Sequence, residues 1–457
     1  MRYLGLEFEV RNMPELEPGF VPMSAFFRAH QALAKQPYAI AVHRQDGLCS
    51  VYDTAVIGLP EYAEADLYYL DRLLKFLLWA KGGHRVSLCG DTALGTRLKA
   101  AYAPGGARGF DADFMARIYD LPFSFELLDY AQKPAANEAA KPVGRHLDGC
   151  RIGFDAGGSD RKVSAVIDGE AVYSEEVVWF PKENADPAYH YAGIVEAMKT
   201  AASKMPRVDA IGVSSAGVYI DNHCRAASLF IKVNEADFKA QVEDIYLRAA
   251  AEIGNVPVEV ANDGDVTALA GAMSMDAVGV MGIAIGTSEA AGYVNLQGNI
   301  TGWLNELAFA PVDANPAAAT DDWSGDIGCG VSFFSQDGVI RLAAAAGIEL
   351  HGASPAEKLK EVQALMAQDD PRAAAIYRSI GVALGHALGL YAGFYDIEHV
   401  LLMGRVTSGK GGDILLAEAG RVLKEEYPGC PFVPKAPDEK ARRVGQSVAA
   451  ASLPELK

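Results

Sequence analysis

Between Arg151 and Gly169 the chain reads RIGFDAGGSDRKVSAVIDG, an apolar strand ending at Asp155, a turn through Gly157 and Gly158, and a second apolar strand. Glycines in such a turn let peptide N–H groups approach an anion without a Cβ in the way. A carboxylate at the strand end is placed to hold Mg²⁺ through water against phosphates. Many hairpins also turn through Gly-Gly, and Asp is a common turn former, so the segment constrains the fold more firmly than the chemistry.

The remaining composition narrows the field. A length of 457 residues implies two or three domains. Half the residues are hydrophobic and 22% are charged, which points to a packed globule. A net charge of −18, with no basic patch, argues against nucleic acid or an anionic membrane as partner. The start MRYLGLEFEV carries acidic residues where a signal peptide needs an apolar core. No apolar run reaches the length of a membrane span, so a cytoplasmic location is expected. Cys49, Cys89, Cys150, Cys224, Cys329 and Cys430 are widely spaced, as reduced buried cysteines would be.

The stretch 132–145, QKPAANEAAKPVGR, reads as a linker. Residues 1–131 before it form an expected N-terminal α/β domain. They comprise a hairpin around Asp46-Gly47, a helix over Ala63–Lys81 and the strand-like RVSLCGD. Hairpin, helix and strand recur in that order after the linker. This suggests a degenerate duplicate, with His43 where Asp155 sits in the second copy. From the linker onward strands and helices alternate, the pattern of α/β layers.

Three further segments carry chemistry. Asn262-Asp263 closes the strand VPVEVAN ahead of a helical pattern. A carboxylate there points into the crevice where α/β ligands bind and is placed to take a hydroxyl proton, although taken alone the segment reads first as Asp263 or Asp265 capping the helix. IAIGTSEAAGYVN offers a second glycine turn with hydroxyls at Gly286, Thr287 and Ser288. HVLLMGRVTSGKGG nearly spells a P-loop through Gly404, Gly409 and Lys410. It has Gly411 where the metal-binding Ser or Thr is needed. GVSSAG similarly misses the nucleophile elbow at Ala216, which leaves a serine hydrolase behind phosphate transfer.

Taken in order, these motifs resemble the ROK family of sugar kinases, within the actin, hexokinase and Hsp70 superfamily. The likeness runs from about Arg151 to Leu453. It implies an α/β fold of two actin-like, ribonuclease H-like lobes around a central cleft, plus the N-terminal domain. The lobes would be 146–268 with 436–457, and 269–435. It further implies that Asp155, Gly157, Gly158 and Ser159 form the first phosphate hairpin, with Asp155 holding Mg²⁺ through water. Gly286 and Thr287 would form the second, and Gly404 would lie against the adenosine of ATP. Asp263 matches the catalytic base. Asn262, Ser215, Gly217 and Glu306 match sugar-binding positions, and the resemblance suggests a homodimer.

The departures fall on the sugar side. Phe309 stands where the family has a histidine that binds sugar and zinc, and the cysteine cluster is reduced to Cys329, so no zinc is expected. Trp303, Trp323, Phe309 and Phe333 crowd this stretch, as core or as sugar-stacking faces. The expectation is an ATP- and Mg²⁺-dependent kinase of a sugar or sugar derivative other than plain glucose, with lobes closing over it. The alternative is a non-catalytic ROK-like sensor or regulatory protein binding sugar or nucleotide. Some family members are repressors with an N-terminal helix-turn-helix. Residues 1–131 show neither that paired pattern nor a basic recognition helix.

Overall fold

The computed structural model describes residues 1–138, 142–437 and 445–456. The middle of the expected linker lies outside them. The chain divides into two compact units. One comprises Met1–Ala139, Ile283–Ala291 and Trp303–Ala436; the other comprises Ala140–Gly282, Gly292–Gly302 and Pro437–Lys457.

The second unit is built on a five-stranded sheet ordered Val258–Asn262, Ala210–Ser215, Cys150–Ala156, Asp160–Ile167, Glu170–Val178. The first three strands are parallel, and the last two follow as an antiparallel meander. Cys150–Ala156 is buried at every position, as a strand covered on both faces must be. Ile152 and Phe154 face a core shared with Ile194, Met198 and Tyr246. On the other face, Gly153 and Gly212 admit the helix Gln446–Ala451. A Cβ at Gly153 would run into the Ser447 carbonyl, and one at Gly212 into that of Ala450. Glycine is required here by close approach, not by turn geometry.

In the first unit a four-stranded sheet is ordered Cys49–Val56, Gln36–His43, Arg85–Cys89, Ser124–Leu128. The hairpin turns where expected, with Asp46 and Gly47 at φ 55° and 73°, and the helix spans Ala63–Lys81. The suspected duplication needs correction. Arg85–Cys89 runs antiparallel to Gln36–His43, whereas Ala210–Ser215 runs parallel to Cys150–Ala156. A crossover helix returns a strand parallel to the one it left. It leaves from the second strand of a hairpin in the N-terminal copy and from the third strand of a meander in the later one. His43 is therefore no counterpart of Asp155; its ring bonds Ser87 Oγ at 2.9 Å.

The first unit also holds most of a sheet ordered Glu289–Val294, Val280–Ile285, His399–Met403, Pro434–Lys435. After Glu289–Val294 the chain turns back on itself through an antiparallel bridge, Val294 to Ile300. Within this unit the N-terminal residues share a core with the C-terminal ones. Trp79 lies 4.5 Å from Phe309, and Phe20 lies 5.5 Å from Phe333, between ring centroids. Among the described residues one helix, Pro371–Tyr391, is long and apolar enough to cross a membrane. Most of it is buried inside the protein, as a core helix would be.

Candidate functional site

In the second unit the parallel strands deliver their carboxyl ends side by side. Asp155 lies in register with Ser214, and Ser215 with Asn262. Ser214 Oγ donates to Asp155 Oδ1 at 2.8 Å. Burial pushes the Asp155 carboxyl up to about 6. The Ser214 hydrogen bond works against that rise and the charge of Asp263 adds to it. The turn after Asp155 is pinned from behind, since Trp179 Nε1 donates to the Gly157 carbonyl at 2.8 Å. Gly158 and Ser159 are exposed. Lys182 lies across this turn, within 3.4 Å of where a Gly158 Cβ would be.

Asp263 opens the helix Asp263–Met275, and the cap is the preceding residue. Asn262 Oδ1 accepts from the Gly264 N–H at 2.7 Å. Capping therefore does not consume the Asp263 carboxyl. Asp263 is half-buried. Its pKa is raised by desolvation, with backbone N–H groups at the helix start and the Lys182 charge pulling the other way. Gln446 Nε2 donates to the Asp263 carbonyl at 3.1 Å and fixes the backbone. Asp265 accepts from the Tyr293 N–H at 3.1 Å, a structural role.

The expected sugar positions of this unit are committed elsewhere. Asn262 Nδ2 donates to the Gly217 carbonyl at 2.7 Å, tying the Gly217 loop to the helix start. Ser215 is fully buried, its hydroxyl 2.7 Å from both Tyr246 and Tyr219. Strand alternation points Ser214, not Ser215, to Asp155. The sequence reading of GVSSAG weighed Ser215 and passed over its neighbour. Lys182, in WFPKEN, had no motif to reveal it.

In the first unit Thr287 is exposed at the turn between Val280–Ile285 and Glu289–Val294, and Gly286 precedes it half-buried. The Gly286 carbonyl accepts from the Gln336 N–H at 2.8 Å. Gly404 follows the strand His399–Met403 at φ 103°, and a Cβ there would run into the Ile285 carbonyl, so both backbone conformation and packing demand glycine. Glu306 is half-buried, and its N–H donates to the Trp79 carbonyl at 2.9 Å. Beside it lies Glu289, 3% exposed and unremarked in the sequence. Burial and the neighbouring charge of Glu306 push its carboxyl up to about 8. Phe309 packs between Trp79 and Trp323, at 4.5 and 4.8 Å, as part of an aromatic cluster. Cys329 is buried, and its thiol is pushed up to about 12 by burial.

Oxygen donors suit Mg²⁺, which usually takes one or two carboxylates plus substrate phosphates and keeps several waters. Asp155, ionised at neutral pH and beside an open glycine turn, fits that pattern.

Neither a family model nor a curated protein matches the sequence. Solved structures do match the fold. A ROK hexokinase from Thermus thermophilus superposes with a TM-score of 0.52 at 20% identity, covering 66% of this chain and 97% of that one. A ROK-family transcriptional regulator homologous to the E. coli MLC protein superposes with a TM-score of 0.50 at 17% identity, covering 67% and 79%. The chain thus has the α/β fold of the ROK kinases and regulators, carried on about two thirds of its length.

Proposed function

We propose that the chain is a divergent ROK-type, ATP-dependent phosphotransferase acting on a hydroxyl of a sugar or sugar derivative. The observation that carries this reading is the pair Asp155 and Asp263. They are two carboxyls with raised pKa at the ends of the strands on either side of Ala210–Ser215, beside a glycine turn and Lys182. Such groups serve phosphoryl transfer, in which positioning and charge neutralisation do most of the work.

Asp263 is the base that accepts the proton of the attacking hydroxyl, a role worth roughly 10²- to 10⁴-fold in rate. Gly157, Gly158 and Ser159 take phosphate oxygens on their N–H and hydroxyl groups, and Lys182 supplies positive charge at the same turn. Asp155 would hold Mg²⁺ through water; the bound ion neutralises phosphate charge. Gly286 and Thr287 form the second phosphate turn, Gly404 faces the adenosine, and Glu306 accepts sugar hydroxyls. The hydroxyl of Ser215 and the amide of Asn262 are engaged inside the protein, so they contribute less to acceptor recognition than the family resemblance implies. This agrees with a substrate that differs from plain glucose.

With ATP, Mg²⁺ and a panel of sugars, the wild-type chain should release ADP, and Asp263→Asn should lose at least about 100-fold of that rate. The same fold also carries a regulator, so a sensor is the competing reading. Absence of turnover with every sugar, together with sugar-induced thermal stabilisation, would establish it instead.

A further inference from the structure

The first unit contains a cavity of about 240 Å³ that the phosphate chemistry leaves unused. Its wall brings together the edge strand Cys49–Val56, the last turn of the helix Ala63–Lys81, and the segment 392–396 after the helix Pro371–Tyr391. Ser50, Tyr52, Lys81, Glu138, Tyr395 and Asp396 line it with polar groups.

Those groups are held in place. Lys81 is 6% exposed, and its amine donates to the Phe394 carbonyl at 2.9 Å. The amine also lies 3.0 Å from the ring centroid of Trp303 and 4.4 Å from that of Tyr395. Glu138 Oε2 accepts from Arg44 at 2.6 Å and from Trp303 Nε1 at 2.9 Å. Arg44 also reaches Ser50 Oγ at 2.7 Å. The backbone adds to the lining. Cys49 pairs through both its N–H and C=O with Asn137, away from Gln36–His43, and Val51, two residues on, turns its backbone to that same side.

We propose that this cavity binds a small uncharged polyhydroxy compound of monosaccharide size, at a site separate from the phosphate turns. An anion would meet two carboxylates, Glu138 and Asp396. A cation would find the aromatic faces already taken by the Lys81 amine. An apolar guest would strip water from an amine and two carboxylates without replacing it. A nucleotide needs more room, since pockets for drug-sized ligands span about 300–1,000 Å³. Hydroxyl groups match both kinds of lining, donating to the carboxylates and accepting from the amine. Burial lowers the pKa of the Lys81 amine, and the charge of Glu138 works against that fall.

The test is equilibrium dialysis of the full chain without nucleotide, using D-glucose, D-mannose, D-mannitol and myo-inositol as probes. At least one should bind, with affinity reduced about tenfold or more in Asp396→Ala, on the exposed rim, and retained in Glu306→Ala. Lys81→Met should weaken binding likewise, provided its thermal transition matches wild type. Binding by none of the four, or binding that Asp396→Ala leaves unchanged, would overturn the proposal. Because ATP is absent, failure of the phosphotransferase reading would leave this result untouched.

Discussion

The side chain of Asp155 illustrates how one hydrogen bond sets a working range. Burial alone would carry its carboxyl further above the ordinary carboxylate value. The Ser214 hydroxyl, bonding the ionised form at 2.8 Å, holds it near 6. Below that pH Asp155 becomes protonated and no longer assists phosphate binding, so kcat/KM should fall on the acid side. Removing the Ser214 donor raises the pKa again, and the acid limb should move to higher pH. A pH profile of ADP release for Ser214→Ala against wild type checks this. An unmoved limb would assign the ionisation to another group. Because Asp263 interacts with Asp155, the limb reports the pair and not one residue alone.

At the level of elements, the helix Ala63–Lys81 shows what periodicity conveys and what it hides. Leu67, Leu70, Leu74, Leu77 and Leu78 announce a helix with one apolar face, and its limits were readable to the residue. Its burial on nearly every side was not readable, because Arg72 and Lys75 look like a solvent face until their partners appear. Arg72 and Lys75 reach Asp326 at 3.0 and 3.1 Å. Lys75 meets Asp111 at 3.1 Å, and Arg108 bridges Asp71 and Asp326 at 2.8 and 2.7 Å. Asp326 lies about 250 positions from the helix, beyond any local pattern. Breaking a buried pair leaves an uncompensated charge, which typically costs about 3–5 kcal/mol. Lys75→Met should therefore destabilise the fold by about that amount in urea titration, and adding Asp111→Asn should restore part of the loss. A cost under about 1 kcal/mol would mean that water reaches the cluster.

For the whole molecule, the strand and turn around Asp155 and the helix start at Asp263 were legible because glycine and aspartate at a strand end are dictated by backbone geometry. The inward hydrogen bonds of Ser215 and Asn262 were not, because their partners are set by tertiary packing. The N-terminal residues were harder still. They read as a separate domain, yet Met1–Ala139 is compact together with Ile283–Ala291 and Trp303–Ala436. Trp79 packs on Phe309, Phe76 lies 4.1 Å from Phe394, and Phe20 lies against Phe333. His386 Nε2 bonds the Asn12 carbonyl at 2.8 Å. Each large side chain that is buried here contributes about 1.5–3 kcal/mol, and several together approach the whole stability of an ordinary domain. A chain starting at Pro142 would therefore expose Phe309, Phe333 and Phe394 and leave Asp326 without its cations. It should aggregate, or lose near-UV circular dichroism while keeping helical far-UV signal. Cooperative thermal unfolding of that fragment, with native near-UV spectra, would show instead that residues 1–138 fold as an independent appendage.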